Sequence, residues 1–287
     1  MTMSTATGAR RPPQRDRPRL PQRGSWWRFA LAVVLTALTL APLAGTASSA
    51  LGLSALRAPG APGGAEAWAA MLWRQLSATL TGPALGWFEN SLALALGTVV
   101  VCVVLGAPAG YVLARGRSRG VSGFALVIFL LQSFPAVLTL VPLFLLLARV
   151  HLIDDLFGLG LVYVGLSLSV AIWMLSAYIA TVPIELEEAA WLDGCSVLGA
   201  FFRVVLRNCL PAILSTAIFV FLFVWNDYLA AFTFIRSTAN YTVGIGLQAA
   251  GRSPIFAVLI AVPPVLIFAL LNRYFSLGGV SGALSAR

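Results

Sequence analysis

Glu188-Ala189-Ala190-Trp191-Leu192-Asp193-Gly194 lies in a polar gap between two long apolar runs, and the contrast with its surroundings decides the fold. Before it, Pro183, Glu185, Glu187 and Glu188 make a good helix start. Proline tolerates the missing N–H of a first turn, and early carboxylates offset the helix dipole. Gly194 then divides two short helical stretches, and Phe201, Phe202, Val204, Val205 and Leu206 supply an apolar face beyond it. A helix–turn–helix of this kind, held outside a bilayer, needs a partner to cover it.

The runs on either side are those of an integral membrane protein. Of 287 residues 10% are charged and 59% hydrophobic, with a mean hydropathy of +0.90. Soluble chains carry about 25% charged residues. Crossing the hydrocarbon core takes about 20 apolar residues, and a helix pairs its backbone within the segment. The pattern predicts an all-α membrane protein with six transmembrane helices, at 26–47, 91–114, 121–147, 159–181, 210–232 and 255–274. Residues 1–24 read as a disordered basic tail able to touch lipid head groups, and 25–287 as one transmembrane domain whose polar loop covers about 182–208. A cleaved signal peptide is the competing reading of 29–47, since small residues follow, but cleavage would remove the span that keeps the other five in register. Residues 48–90 are too polar and too rich in Gly and Pro to span, and Trp68, Trp73 and Trp87 suit the outer interface. Pro108, Pro135, Pro142, Pro263 and Pro264 are expected to kink their spans.

Every basic residue is an arginine, and their placement sets the orientation. Arg10, Arg11, Arg15, Arg17, Arg19, Arg23, Arg28, Arg115, Arg117, Arg119, Arg203, Arg207, Arg273 and Arg287 fall on the side of the Glu188 loop; Arg57, Arg74, Arg149, Arg236 and Arg252 fall opposite. By the positive-inside rule both termini and that loop are cytoplasmic. The net charge of +9 is then a topology signal and an anionic-lipid contact, not a nucleic-acid surface. With no lysine, Schiff-base chemistry and a P-loop are excluded, and no GxSxG or HExxH motif supports a hydrolase. Cys102, Cys195 and Cys209 are too scattered for a disulfide framework or a zinc site. His151, Asp154 and Asp155 read as solvated loop residues.

The stretch from Glu188 to Gly194 resembles the EAA loop of ABC importer permeases, whose pattern is EAA, three residues, Gly, nine residues and an Ile-x-Leu-Pro ending. Here Val204, Val205 and Leu206 follow at that distance, with Arg207 in the proline's place and Pro211 four residues on. Asn90-Ser91-Leu92, Trp225-Asn226-Asp227-Tyr228, Asn240-Tyr241-Thr242 with Gly244 and Gly246, and the run from Pro263-Pro264 to Arg273-Tyr274-Phe275 resemble the sugar-type branch, the maltose-transporter class. The resemblance implies a type I importer permease of the bacterial inner membrane, paired with a second permease, an ABC ATPase dimer and an extracytoplasmic solute-binding protein. It implies that ATP and magnesium belong to the ATPase and that this chain binds no cofactor. It also implies that Glu188, Ala189, Asp193 and Gly194 form the coupling element, with Glu188 meeting a donor on the ATPase, Ala189 allowing close packing and Gly194 making the turn.

Buried polar groups in a span are costly and therefore suggestive. Trp225, Asn226, Asp227 and Tyr228 line a translocation path or a permease interface on one reading; on the other, the span ends there and Asp227 is solvated. The expected solute is a sugar or related polyhydroxylated compound. The alternatives are a polyamine or a phosphate ester within the same class, or an ion-coupled secondary transporter, against which stand the near absence of paired intramembrane ionisable groups and of a visible repeat.

Overall fold

The computed structural model describes residues 25–52, 65–251 and 253–278, with side chains for 26–52, 66–251 and 253–270. The basic 1–24 tail lies outside the described residues. A division at Gly45/Thr46 separates two compact units, and they are described in turn.

The first unit holds most of α1 (Ser25–Ala50), which has Trp26, Phe29, Val34, Leu38 and Leu43 exposed around its axis. Its Thr36 and Thr39 hydroxyls donate back to the carbonyls of Ala32 and Leu35. The two hydroxyls are thus paired within the helix, as a membrane helix requires.

In the second unit α2 (Ala65–Thr81) leads into α3 (Ala84–Arg115), a 32-residue helix that packs along α6 (Leu156–Ile179), with α10 (Leu210–Trp225) against both. Small residues allow that approach. A Cβ on Gly110 would come within 3.0 Å of the Ser176 nitrogen and 3.2 Å of the Ile172 carbonyl oxygen, so the α3 and α6 backbones nearly touch. The main core gathers Leu94, Leu159, Tyr163, Phe221, Trp225, Phe234, Val243 and Phe256.

Among the described residues three helices are long and apolar enough to cross a membrane, and two bent pairs raise the number to five; α13 (Pro254–Gly278) follows. The span expected at 121–147 is broken: α4 (Arg119–Ser133) and α5 (Ala136–Arg149) meet at 99°. Proline lacks the N–H to continue the ladder and drives the preceding residue out of the helical region. Phe134 accordingly sits at φ −74°, ψ 130° before Pro135. Pro108, Pro142, Pro263 and Pro264 lie inside continuous helices, so of the five prolines Pro135 breaks its helix. The expected 210–232 span ends at Trp225, and a break precedes α11 (Leu229–Phe234); α12 (Val243–Ala249) comes next.

Of the three tryptophans expected at the outer interface, Trp87 differs. Trp73 is exposed and Trp68 donates to the Leu51 carbonyl, whereas Trp87 is buried and its indole donates to the Thr238 carbonyl at 2.8 Å. Trp87 therefore belongs to the core and not to an interfacial belt.

Asp154 is likewise no solvated loop residue. In the left-handed region at φ 62°, which aspartate tolerates, it accepts at one carboxylate oxygen from the Arg236 N–H, the Ser237 N–H and the Ser237 hydroxyl. Its carbonyl accepts from Asn240, and its own N–H donates to the Phe234 carbonyl. Asn90 donates to the carbonyls of Ala239 and Tyr241, and Ser91 accepts from the Val243 N–H. These bonds knot the start of α3, the α5–α6 link and the segment after α11 at one end of α6. Partial burial alone would raise the Asp154 pKa, but the backbone N–H groups of Ser237 and Arg236, with the Ser237 and Asn240 side chains, hold it below the ordinary aspartate value.

Candidate functional site

At the other end of α6 the chain turns through Val182 and Pro183 into α7 (Glu185–Leu192). Three carboxylates stand in its first turn, and the fold treats them differently. Glu185 and Glu188 are exposed, whereas Glu187 is fully buried. Its Oε1 accepts from Arg115 Nε at 2.8 Å and lies 2.7 Å from Nη2 in an ion pair, and its Oε2 accepts from the Tyr111 hydroxyl at 2.7 Å. Arg115 Nη2 also donates to the Val182 carbonyl at 2.7 Å. Both Glu187 oxygens are thus partnered, the condition under which a carboxylate tolerates removal from water.

Gly194 closes α7 in a Schellman motif: Cys195 N–H donates to the Ala190 carbonyl and Gly194 N–H to the Trp191 carbonyl. Its φ is +85°, and a Cβ there would meet nothing within 4 Å, so the demand for glycine is conformational and not steric. Ser196 then caps α8 (Val197–Ala200) by accepting from the Gly199 N–H. A π-helical turn (Phe201–Val205) and α9 (Leu206–Asn208) lead to α10 through a 73° bend. Pro211, at the start of α10, suits a first turn; Arg207 is exposed in α9, before the bend.

The apolar face expected beyond Gly194 is split. Phe201 and Val205 turn inward onto Leu175, Ile179 and Val182, with the Phe201 ring 5.1 Å from that of Tyr111. The outward surface is instead Leu192, which is 90% exposed, with Val197, Leu198 and Phe202. Glu188, Ala189, Asp193 and Gly194 are all exposed beside Leu192. The arrangement offers a partner an acid, a small residue and an apolar knob on one rigid turn.

The second expected set does not act as one surface. Trp225 is 2% exposed, stacked on Phe221 at 5.5 Å, met edge-on by Phe88, and donates to the Ile260 carbonyl. It belongs to the core. Asn226 is exposed and donates to Leu222, closing α10. Asp227 is half-buried in the break, accepting from the Tyr163 hydroxyl and from the N–H groups of Ala230 and Ala231 at the head of α11. It is neither fully solvated nor free. Gly244 lets α12 approach this corner, where a Cβ would fall 2.8 Å from the Asp227 carbonyl oxygen. Tyr228 is exposed and stacks on Phe232 at 5.4 Å.

Sequence reasoning missed Tyr111, Arg115 and the inward turn of Glu187. Arg115 was legible as the arginine ending an apolar run, but it was counted for topology alone. Tyr163, the hydroxyl partner of Asp227, carried no signal.

Residues 106–278 match the family described as binding-protein-dependent transport system inner membrane component. The chain is 31% identical over 210 residues to the inner membrane ABC transporter permease protein YcjP of Escherichia coli, covering 70% of this chain and 75% of that one. It is 32% identical over 205 residues to the trehalose transport system permease protein SugB of Mycobacterium tuberculosis, covering 68% and 75%. Its fold superposes with a TM-score of 0.73, at 18% identity and over 90% of this chain and 100% of that one, on a chain of a bacterial ABC transporter involved in the import of the acidic polysaccharide alginate.

Proposed function

Since the chain belongs to the family of binding-protein-dependent transport system inner membrane components, we propose that its exposed Glu188–Gly194 turn is the contact through which an ATPase drives it. The chain is a multi-pass permease subunit of an ABC importer of the inner membrane. The observation that carries the docking reading is the turn itself. Leu192 is almost wholly exposed next to Glu188, Ala189 and Asp193, outside the apolar spans, on a backbone held by the left-handed Gly194. A surface of that kind is covered in the working assembly. Coupling further requires that its contacts differ between the open and closed ATPase, since a partner bound equally in both states shifts nothing.

The rest of the assembly follows from this reading. ATP and magnesium are held by the ATPase dimer and no cofactor by this chain. A second permease completes the path, and an external binding protein delivers the solute. The arginine asymmetry supports a cytoplasmic position for the turn and both termini. The solute is a sugar or a related polyhydroxylated compound, a reading supported by the relative named for trehalose transport and by the exposed Asn226 and the Tyr228–Phe232 stack, groups that suit hydroxyls and the apolar face of a sugar ring.

The test is reconstitution of the assembled importer in proteoliposomes, with radiolabelled trehalose and maltose as probes and glycerol phosphate and spermidine as controls. Glu188→Ala is expected to weaken ATPase co-purification by about fivefold or more and to lower uptake in step. Full co-purification and uptake in both Glu188→Ala and Gly194→Val would remove the turn from the ATPase contact. Uptake of a control with neither sugar would overturn the solute class.

A further inference from the structure

Glu187 and Glu188 are neighbours in sequence with opposite fates. Glu188 faces out, while Glu187 makes the one ion pair found among the described residues. α7 is eight residues long and is joined to the chain on both sides by non-helical segments, 180–184 and 193–196. The helical ladder does not run through them, so a push on the turn reaches the end of α3 through the side chains that bridge α7 to it. The side-chain hydrogen bonds from α7 to α3 among the described residues are those that Glu187 accepts from Arg115 and Tyr111.

Arg115 is the last residue of α3, the helix whose backbone nearly touches α6 at Gly110 and which also packs on α10. The Tyr111 ring lies against Phe201, in the π-helical turn through which the chain returns to α10. The cluster therefore meets α7, α3 and the return to α10 at one point. Separating the pair would leave the buried Glu187 carboxylate unpaired away from water, so the contact resists being pulled apart. That is the mechanical character wanted of a joint.

We propose that the Glu187–Arg115–Tyr111 cluster is the joint through which displacement of α7 moves the end of α3, making Glu187 and Arg115 positioning residues for transport. The inference rests on the reading of the Glu188–Gly194 turn as the ATPase contact.

The test is hydrogen exchange on the assembled transporter carrying a hydrolysis-deficient ATPase, with and without ATP, comparing α7 with residues 106–116. In the parent complex both segments are expected to change on adding ATP. In Glu187→Gln the change at α7 should persist while that at 106–116 shrinks by about fivefold or more, which a merely structural residue would not divide in this way. Tyr111→Phe keeps the ring on Phe201, removes one hydrogen bond, and should give the same split at smaller size; it decides the question if Glu187→Gln fails to assemble. An undiminished response at 106–116 in the variants overturns the joint and leaves the docking reading standing, as does a parent complex in which α7 responds and α3 does not. A parent complex in which α7 itself is indifferent to ATP overturns the docking reading and the joint with it.

Discussion

The two ends of α6 are both organised around a carboxylate, and they are built on opposite electrostatic principles. At the α7 end Glu187 is buried against the Arg115 guanidinium, a charge facing a charge. At the other end Asp154 is held by backbone N–H groups, a serine hydroxyl and an asparagine amide, with no cation among the partners it accepts from. Deleting Glu187 strands a partly buried cation, whereas deleting Asp154 strands neutral donors that water can reach. The first end is intolerant and stiff beneath an exposed apolar turn; the second is a many-stranded knot from which single bonds can be lost.

The largest effect should follow from Glu187→Ala, which leaves Arg115 unpaired and is expected to cost about 3–5 kcal/mol. Thermal unfolding of the purified chain measures it, and a loss no larger than that of Asp154→Asn would erase the contrast between the ends.

Next in size is the backbone at Gly194. A β-branched residue at φ +85° should cost about 1–2 kcal/mol, and asparagine, which tolerates the left-handed region, distinctly less. Since no atom stands within reach of a Cβ there, equal losses for Gly194→Val and Gly194→Asn would mean that something other than φ demands glycine.

Asp154→Asn should cost about 1 kcal/mol at neutral pH, the scale of a net hydrogen bond. The pH dependence has a definite sign. Asp154 has its native pKa depressed, so its contribution is fully present above the unfolded-state pKa and is lost as pH falls through the native one. Acid should therefore weaken the wild type below about pH 4 while Asp154→Asn lacks that component. Parallel acid melts of the two proteins would remove the carboxylate from the knot.

The smallest effect on stability belongs to Glu188→Ala, within about 0.5 kcal/mol as for exposed sites lacking special contacts. Set beside Glu187→Ala it separates the two faces of one helical turn, and a comparable destabilisation by both would show that Glu188 also has an internal partner.

Much of this was legible beforehand, and the parts that were not share a cause. The helical class, the turn at Gly194 and the start of α10 near Leu210 rest on run length, on left-handed backbone and on proline position, all local properties of the chain. The reading of Asp154 as solvated failed because its donors are some 80 residues away, at Arg236 and Ser237, and no periodicity announces them. Pro135 ends a helix while Pro142 lies inside one, although both stand in the same apolar run.

By itself, then, the sequence determined where apolar helices form and that a short acidic turn stands outside them, because span length, charge and glycine conformation act within a few residues. Only the tertiary structure decided which carboxylate of that turn faces inward and which faces out, and that Trp87 and Trp225 belong to the core. Burial and ion pairing depend on the side chains that distant segments bring to the same place: Glu187 is buried because α3 ends beside it with Arg115 and Tyr111, whereas Glu188, its neighbour in sequence, stays exposed.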